Sequence, residues 1–201
     1  ADEDRHLRAA IDAYLSSGTT ATVDMGLNRR SLDAMLRAEA RGELPFTIIG
    51  HWLVDRTGDP ASELAQVHRA AELATKYSTG RVRVAGIKLI TDGTIDGCTA
   101  GMCQPFTNGE PGEMVWPREA LEPVVLAADE AGLQIALHAI GDLAVRTALD
   151  VLEVAAHRRA ERGDGRERRH RIEHLEYVDA VDVARLAPLG VTASMQPVQD
   201  R

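Results

Sequence analysis

Six short runs rich in apolar and β-branched residues alternate along this chain with segments whose apolar residues recur at helical spacing. Residues 4–17 carry Leu7, Ile11, Tyr14 and Leu15 on one helical face, and Gly18 follows where a helix ends in a left-handed residue. The strand-like runs are 19–23, 45–54, 82–91, 133–138, 170–175 and 191–196. Between them, helices are predicted from Ser31 to near Gly42, from Asp59-Pro60, from Trp116 to Gly132 with a kink at Pro123, from Asp142, and from Asp179 to Leu186. Strand alternating with helix six times predicts an α/β fold, a parallel sheet with helices outside, because right-handed crossovers leave few other solutions.

Such a series forms either an open doubly wound sheet or a (β/α)8 barrel. No Gly-x-Gly-x-x-Gly follows a strand and no phosphate-binding Gly-x4-Gly-Lys-Ser/Thr occurs, so the nucleotide-binding forms of the open sheet lack support. A full barrel needs about 250 residues. With 201 residues and six strands, a barrel reading makes this chain one partial catalytic domain, 1–201.

Charge narrows the partners. The formal net charge is −8, which argues against nucleic-acid and anionic-membrane surfaces unless a local basic patch prevails. One candidate lies between Arg158 and Arg171, where seven arginines are interleaved with Glu161, Asp164 and Glu167. It contains no aromatic residue to stack a base and reads as a solvated helix end and loop. No apolar run reaches the roughly 18 residues that span a bilayer. The charged start, Ala1-Asp-Glu-Asp-Arg5, is unlike a signal peptide, so a cytoplasmic location is expected. Cys98 and Cys103, the two cysteines, are expected as reduced loop thiols.

Chemistry concentrates at strand ends. Lys88, one of two lysines beside 21 arginines, stands inside Val84-Ala-Gly-Ile-Lys-Leu-Ile-Thr91. Desolvation there lowers an amine's pKa and frees it for Schiff-base formation or for reaction with carbon dioxide; the plainer alternative is a lysine that snorkels to water or pairs with Asp92. His138 and His174 close the next two strands. Alternation places Gln134, Ala136 and His138 on one face, and His170, Ile172 and His174 on one face of the following strand. In a barrel both terminal histidines are expected to point inward at the C-terminal rim, where such enzymes keep their sites. Each alone could be a hydrogen-bonded core histidine; three polar residues ending three successive strands make a stronger pattern. The Gly-rich stretch 92–115 has no period and reads as a functional loop, with Asp92, Gly93, Thr94, Thr99 and Asn108 as substrate contacts or turn formers.

Four segments carry a resemblance: Gly86-Ile-Lys-Leu-Ile-Thr-Asp-Gly-Thr94, residues 128–142 ending Leu-His-Ala-Ile-Gly-Asp142, Arg169-His-Arg-Ile-Glu-His174, and Thr192-Ala-Ser-Met-Gln-Pro197. With Ser17-Gly-Thr-Thr-Ala-Thr-Val-Asp-Met25 they resemble the amidohydrolase superfamily, most closely its amidohydrolase-3 branch of N-substituted formamide deformylases and related metal-dependent hydrolases. The resemblance implies a metal-binding (β/α)8 barrel covered here over about strands 2 to 7. It implies Lys88, as a carbamate on strand 4, with His138 on strand 5 and His174 on strand 6, as ligands of zinc or another divalent metal, one or two ions. It also implies hydrolysis of an amide or formamide by a metal-activated water.

Two parts of the family's pattern are missing from the sequence: the His-x-His of strand 1 and the aspartate of strand 8 that shuttles a proton. The expectation is therefore a central portion of a larger hydrolase. Two competing readings stand beside it, a catalytically silent barrel piece that self-associates as a homo-oligomer through unpaired edges, and, more distantly, a Schiff-base aldolase using Lys88.

Overall fold

The computed structural model describes residues 2–196. Its elements run α1 (Asp2–Ser16), β1 (Ala21–Leu27), α2 (Arg29–Ala40), β2 (Thr47–Leu53), α3 (Pro60–Lys76), β3 (Val82–Ile90), α4 (Arg118–Glu130), β4 (Gln134–Ala139), α5 (Asp142–Glu161), β5 (Arg171–His174), α6 (Ala180–Leu186) and β6 (Thr192–Ser194). All five strand pairings are parallel and follow chain order, so the sheet curls into part of a (β/α)8 barrel.

The element boundaries depart from the sequence pattern where local hydrogen bonds intervene. Thr19, expected in the first strand, instead closes α1 by donating its N–H to the Tyr14 carbonyl beside left-handed Gly18. Strand β1 starts later and runs on to Leu27, with a register shift between Asp24 and Leu27. Helix α2 begins at Arg29 because Asn28 caps it, accepting from the N–H groups of Arg30 and Ser31 while the Ser31 hydroxyl accepts from Asn28. Asp142 is the first residue of α5, whose N-cap is Gly141.

Alternation sorts the strands into two faces. Ile87 and Leu89, Ile135, Leu137 and Ala139, and Ile172 are buried against α3, α4 and α5. Each large side chain among them contributes roughly 1.5–3 kcal/mol by leaving water. A second cluster packs Ile11, Leu32, Met35, Phe46 and Ile48 among α1, α2 and the first strands. The opposite, concave face carries polar side chains: His51, Lys88, Gln134, His138, Arg171 and Glu173. Gly86 is required there, since a Cβ would stand 1.9 Å from the Gln134 carbonyl oxygen.

The arginine-rich segment is an ion-pair network. Asp129, only 1% exposed, accepts from Arg159 and from Nε2 of His170, with Arg162 and Arg168 close by, while Arg166 and Arg168 pair with Asp164. These contacts tie the C-terminal ends of α4 and α5 to the start of β5, at the end of the barrel opposite Lys88, and the arginines are largely matched by carboxylates. Cys98 and Cys103 are free thiols. Among the described residues, no helix is long and apolar enough to cross a membrane.

Candidate metal centre

Parallel register brings the strand ends together. Leu53 pairs with Lys88, Lys88 with Ala136, and Ala136 with Arg171; one step further along, Ile90 pairs with His138 and His138 with Glu173. Lys88 and Arg171 therefore stand at one level on either side of Ala136, whose small side chain leaves room above it for two long ones.

Lys88 is 5% exposed. Burial pushes its ammonium down to about 8, with Arg171 pushing the same way and Glu173 and Asp92 opposing. Its amine forms no hydrogen bond among the described residues. Glu173 is held in the carboxylate form by hydrogen bonds from Arg171 and Ser194, which outweigh its burial. Arg171 donates to both Glu173 and the Ser194 hydroxyl, so the guanidinium is engaged away from the amine.

His138 is buried to 14% side-chain exposure and burial depresses it to about 4, which leaves a neutral ring at neutral pH. Its Nε2 lies 3.1 Å from the Gly93 carbonyl and 3.3 Å from Asp92 Oδ1. A carbonyl oxygen only accepts, so Nε2 carries the proton and Nδ1 keeps its lone pair. His174 meets the His138 ring edge to face, centroids 4.6 Å apart. Its Nδ1 sits 2.7 Å from Oε1 of Gln196, whose amide nitrogen turns toward the Ser194 carbonyl, so Nδ1 donates and Nε2 is the free nitrogen.

His174 reaches this place by a route that alternation does not give. Ile172 faces the helices and Arg171 and Glu173 face the concave side, so regular alternation would turn His174 outward with Ile172 and His170. Left-handed backbone at His174 (φ 80°) and Leu175 (φ 57°) ends the strand and swings the ring to His138. His170 does stay on the helix side. It accepts the Ile135 N–H on Nδ1 and binds Asp129 through Nε2.

The loop residues fall into two groups. Asp92 is fully buried and its carboxylate accepts from the backbone N–H groups of Gly101, Ile140 and Gly141. Gly93 meets His138 through its carbonyl. Thr94, Thr99 and Asn108 make bonds within the loop: Thr94 N–H to the Thr99 hydroxyl, and the Asn108 side chain to Glu110 N–H and Cys98 Sγ. Arg171, which the sequence places in a solvated basic segment, stands instead on β5 facing the site, and the sequence did not single out Glu173, His51 or Gln196. The polar residues at alternate positions of Arg169-His-Arg-Ile-Glu-His174 carried the signal for Arg171 and Glu173.

These residues fit part of a divalent-cation site. Two imidazoles stand side by side, each with one ring nitrogen outside its hydrogen bond, the donors that zinc and similar ions take. A neutral lysine beside them becomes an oxygen donor once carboxylated. No group of three or more His, Cys, Asp or Glu suited to hold a metal occurs among the described residues.

The sequence profile of the amidohydrolase family matches residues 1–201. The chain belongs to the amidohydrolase family. It is 30% identical over 145 residues to the exoenzymes regulatory protein AepA of Pectobacterium carotovorum subsp. carotovorum, covering 72% of this chain and 30% of that protein. It is 29% identical over 160 residues to the putative amidohydrolase YtcJ of Bacillus subtilis, covering 75% and 28%. Among solved structures it resembles an uncharacterized metal-dependent hydrolase from Pyrococcus horikoshii, with a TM-score of 0.80, 28% identity, and coverage of 98% of this chain and 37% of that one. A counterpart from Pyrococcus furiosus gives 0.79 and 29%, covering 98% and 39%. The chain spans under a third of the length of its curated relatives.

Proposed function

We propose that this amidohydrolase-family domain contributes half of a metal site to a hydrolase of small-molecule carbon–nitrogen bonds, an amide or formamide outside peptides. The observation that carries the reading is the convergence of Lys88, His138 and His174 from three successive strands at one end of the concave face. His138 would bind through Nδ1 and His174 through Nε2. Lys88 would bind as a carbamate: its neutral Nζ forms a bond to the carbon of carbon dioxide, one C=O pair moves to oxygen, and the ammonium proton leaves to water. Its low pKa near 8 makes the neutral amine accessible, and Arg171 offsets the new negative charge. A bound divalent ion, zinc by donor preference, would supply Lewis acidity and an activated water.

The remaining residues shape the site. A cleft of about 290 Å³ at the ends of β2 and β3, lined by Leu53, Ile90 and Val115 over Trp116, with Asp55 and Arg56 at its edge, would take an apolar substituent of the substrate. Gly93 and Thr94 lie at the mouth of the loop, where substrate would pass. With a formamide substrate, water adds to the carbonyl carbon and the C–N bond breaks, giving formate and the amine. A second reading, a silent barrel piece that self-associates, is favoured by the two edge strands β1 and β6, with Val23 of β1 exposed.

The test is formate release from N-benzylformamide with zinc and bicarbonate present, beside sedimentation velocity of the same sample. Turnover lost in Lys88→Met, His138→Ala and His174→Ala supports the hydrolase. Turnover unchanged in all three contradicts this site, and an inactive dimer favours the second reading.

A further inference from the structure

Asp92 has more backbone partners than its place beside a loop requires. It lies two residues beyond the end of β3, is fully buried, and both carboxylate oxygens face only donors. Oδ2 accepts from Gly101 N at 3.0 Å and Gly141 N at 2.8 Å, and Oδ1 from Ile140 N at 3.1 Å, with His138 Nε2 at 3.3 Å. These donors come from the middle of the loop, the turn between β4 and α5, and a candidate ligand.

Close backbone approach reinforces the same junction. A Cβ on Gly141 would stand 2.2 Å from the Gly101 carbonyl oxygen, and one on Gly101 would stand 2.4 Å from Met114 Sδ. The Gly101 carbonyl accepts the free N–H groups of Leu143 and Ala144 in the first turn of α5, and Asp142 accepts the Cys103 N–H. The middle of the loop thus serves as the cap of a 20-residue helix. An exposed substrate contact would have a carboxylate oxygen free toward the site; Asp92 has none.

We propose that Asp92 is a positioning residue: its carboxylate clamps the loop at Gly101 to the β4–α5 turn and so holds the neighbouring Gly93 carbonyl on Nε2 of His138, so that the ring presents Nδ1. The loop that borders the site and the orientation of one ligand are then set by a single buried group, in the way carboxylates outside a coordination sphere fix the histidines within it. The functional meaning rests on the reading of His138 as a ligand, whereas the proton placement does not.

The experiment is nitrogen-15 NMR of the histidine rings in the metal-free chain, which distinguishes the two tautomers, with amide hydrogen exchange on the same sample. In the wild-type chain His138 is expected as the Nε2–H form, and the amides of Gly101, Ile140 and Gly141 are expected to exchange slowly at one common rate. Asp92→Asn, whose NH2 cannot accept, is expected to lose the single tautomer. Thr99→Val, which loosens the loop without touching the carboxylate, is expected to keep it. Zinc affinity should fall about 10–100-fold in Asp92→Asn. An Nδ1–H ring in the wild type, a Gly101 amide that exchanges as open loop, or an Asp92→Asn tautomer identical to wild type would each overturn the clamp. Should Asp92→Asn fail to fold, the first two outcomes still decide. A tautomer that follows Asp92 in a chain that binds no zinc would keep the clamp and discard the metal reading.

Discussion

His170 and His174 lie four residues apart around one short strand, yet their environments are opposites. His170 has both ring nitrogens bonded, to Ile135 N–H and to a buried aspartate that three arginines surround. His174 has one nitrogen tied to Gln196 and the other left open next to His138. The N-terminal end of the barrel sets its buried charges in ion pairs, although Asp129 Oδ2 and Arg168 Nε lack a hydrogen bond. The C-terminal end holds a lysine without a hydrogen bond among the described residues and a histidine driven neutral by burial. Unmatched buried groups lower stability and are retained where a ligand completes them.

The contrast can be broken most severely at Asp129. Asp129→Ala leaves Arg159, Arg168 and His170 buried without their anion and should cost about 3–5 kcal/mol in urea unfolding. A loss below about 1 kcal/mol would mean that the network is solvated rather than structural.

The pH dependence of the metal-free chain should come from the other end. His138 drops from 6.5 to about 4 on folding. Between those values the unfolded chain binds the proton more readily, so stability should fall as pH drops through that window, by up to about 3 kcal/mol. Lys88 drops from 10.5 to about 8, so between those values the unfolded chain retains a proton the folded chain has released. Stability should therefore rise with pH there by a similar amount. Urea titrations across pH, repeated on His138→Gln and Lys88→Met, assign each limb.

Lys88→Met sharpens the comparison further. Removing an unpaired buried ammonium should stabilise the chain at pH 7 by about 2 kcal/mol while removing the site, and a destabilised variant would show that the amine is paired in solution. The smallest effect concerns the two histidines themselves. His170→Ala should cost about 2 kcal/mol, because it strands the Ile135 N–H, and His174→Ala should cost under about 1 kcal/mol. Equal losses would dissolve the distinction.

The sequence made the barrel order legible because strand and helix periods differ and right-handed crossovers leave little choice. Lys88 stood out as a charge inside an apolar strand, and alternation placed His138 on the concave face with Gln134 and Ala136. His174 is the instructive case. Its presence near His138 was expected, but from an alternation that the strand does not keep, because two left-handed residues turn the chain. Backbone of that kind is carried by tertiary contacts at non-glycine residues, so no residue type announced it. Likewise nothing in the sequence distinguished Asp92 as a clamp from Asp92 as a substrate contact, since its partners are backbone N–H groups 9 to 49 residues away.

The account stands or falls on whether His138 and His174 take a metal together. The direct measurement is the zinc-to-protein ratio by elemental mass spectrometry after dialysis against limiting zinc, in the wild-type chain, His138→Ala, His174→Ala and the exposed control His157→Ala. The expected result is one equivalent or more in the wild type and the control, with loss in both site variants. Zinc absent from the wild type, or retained equally in all four proteins, would contradict a metal centre built on these residues.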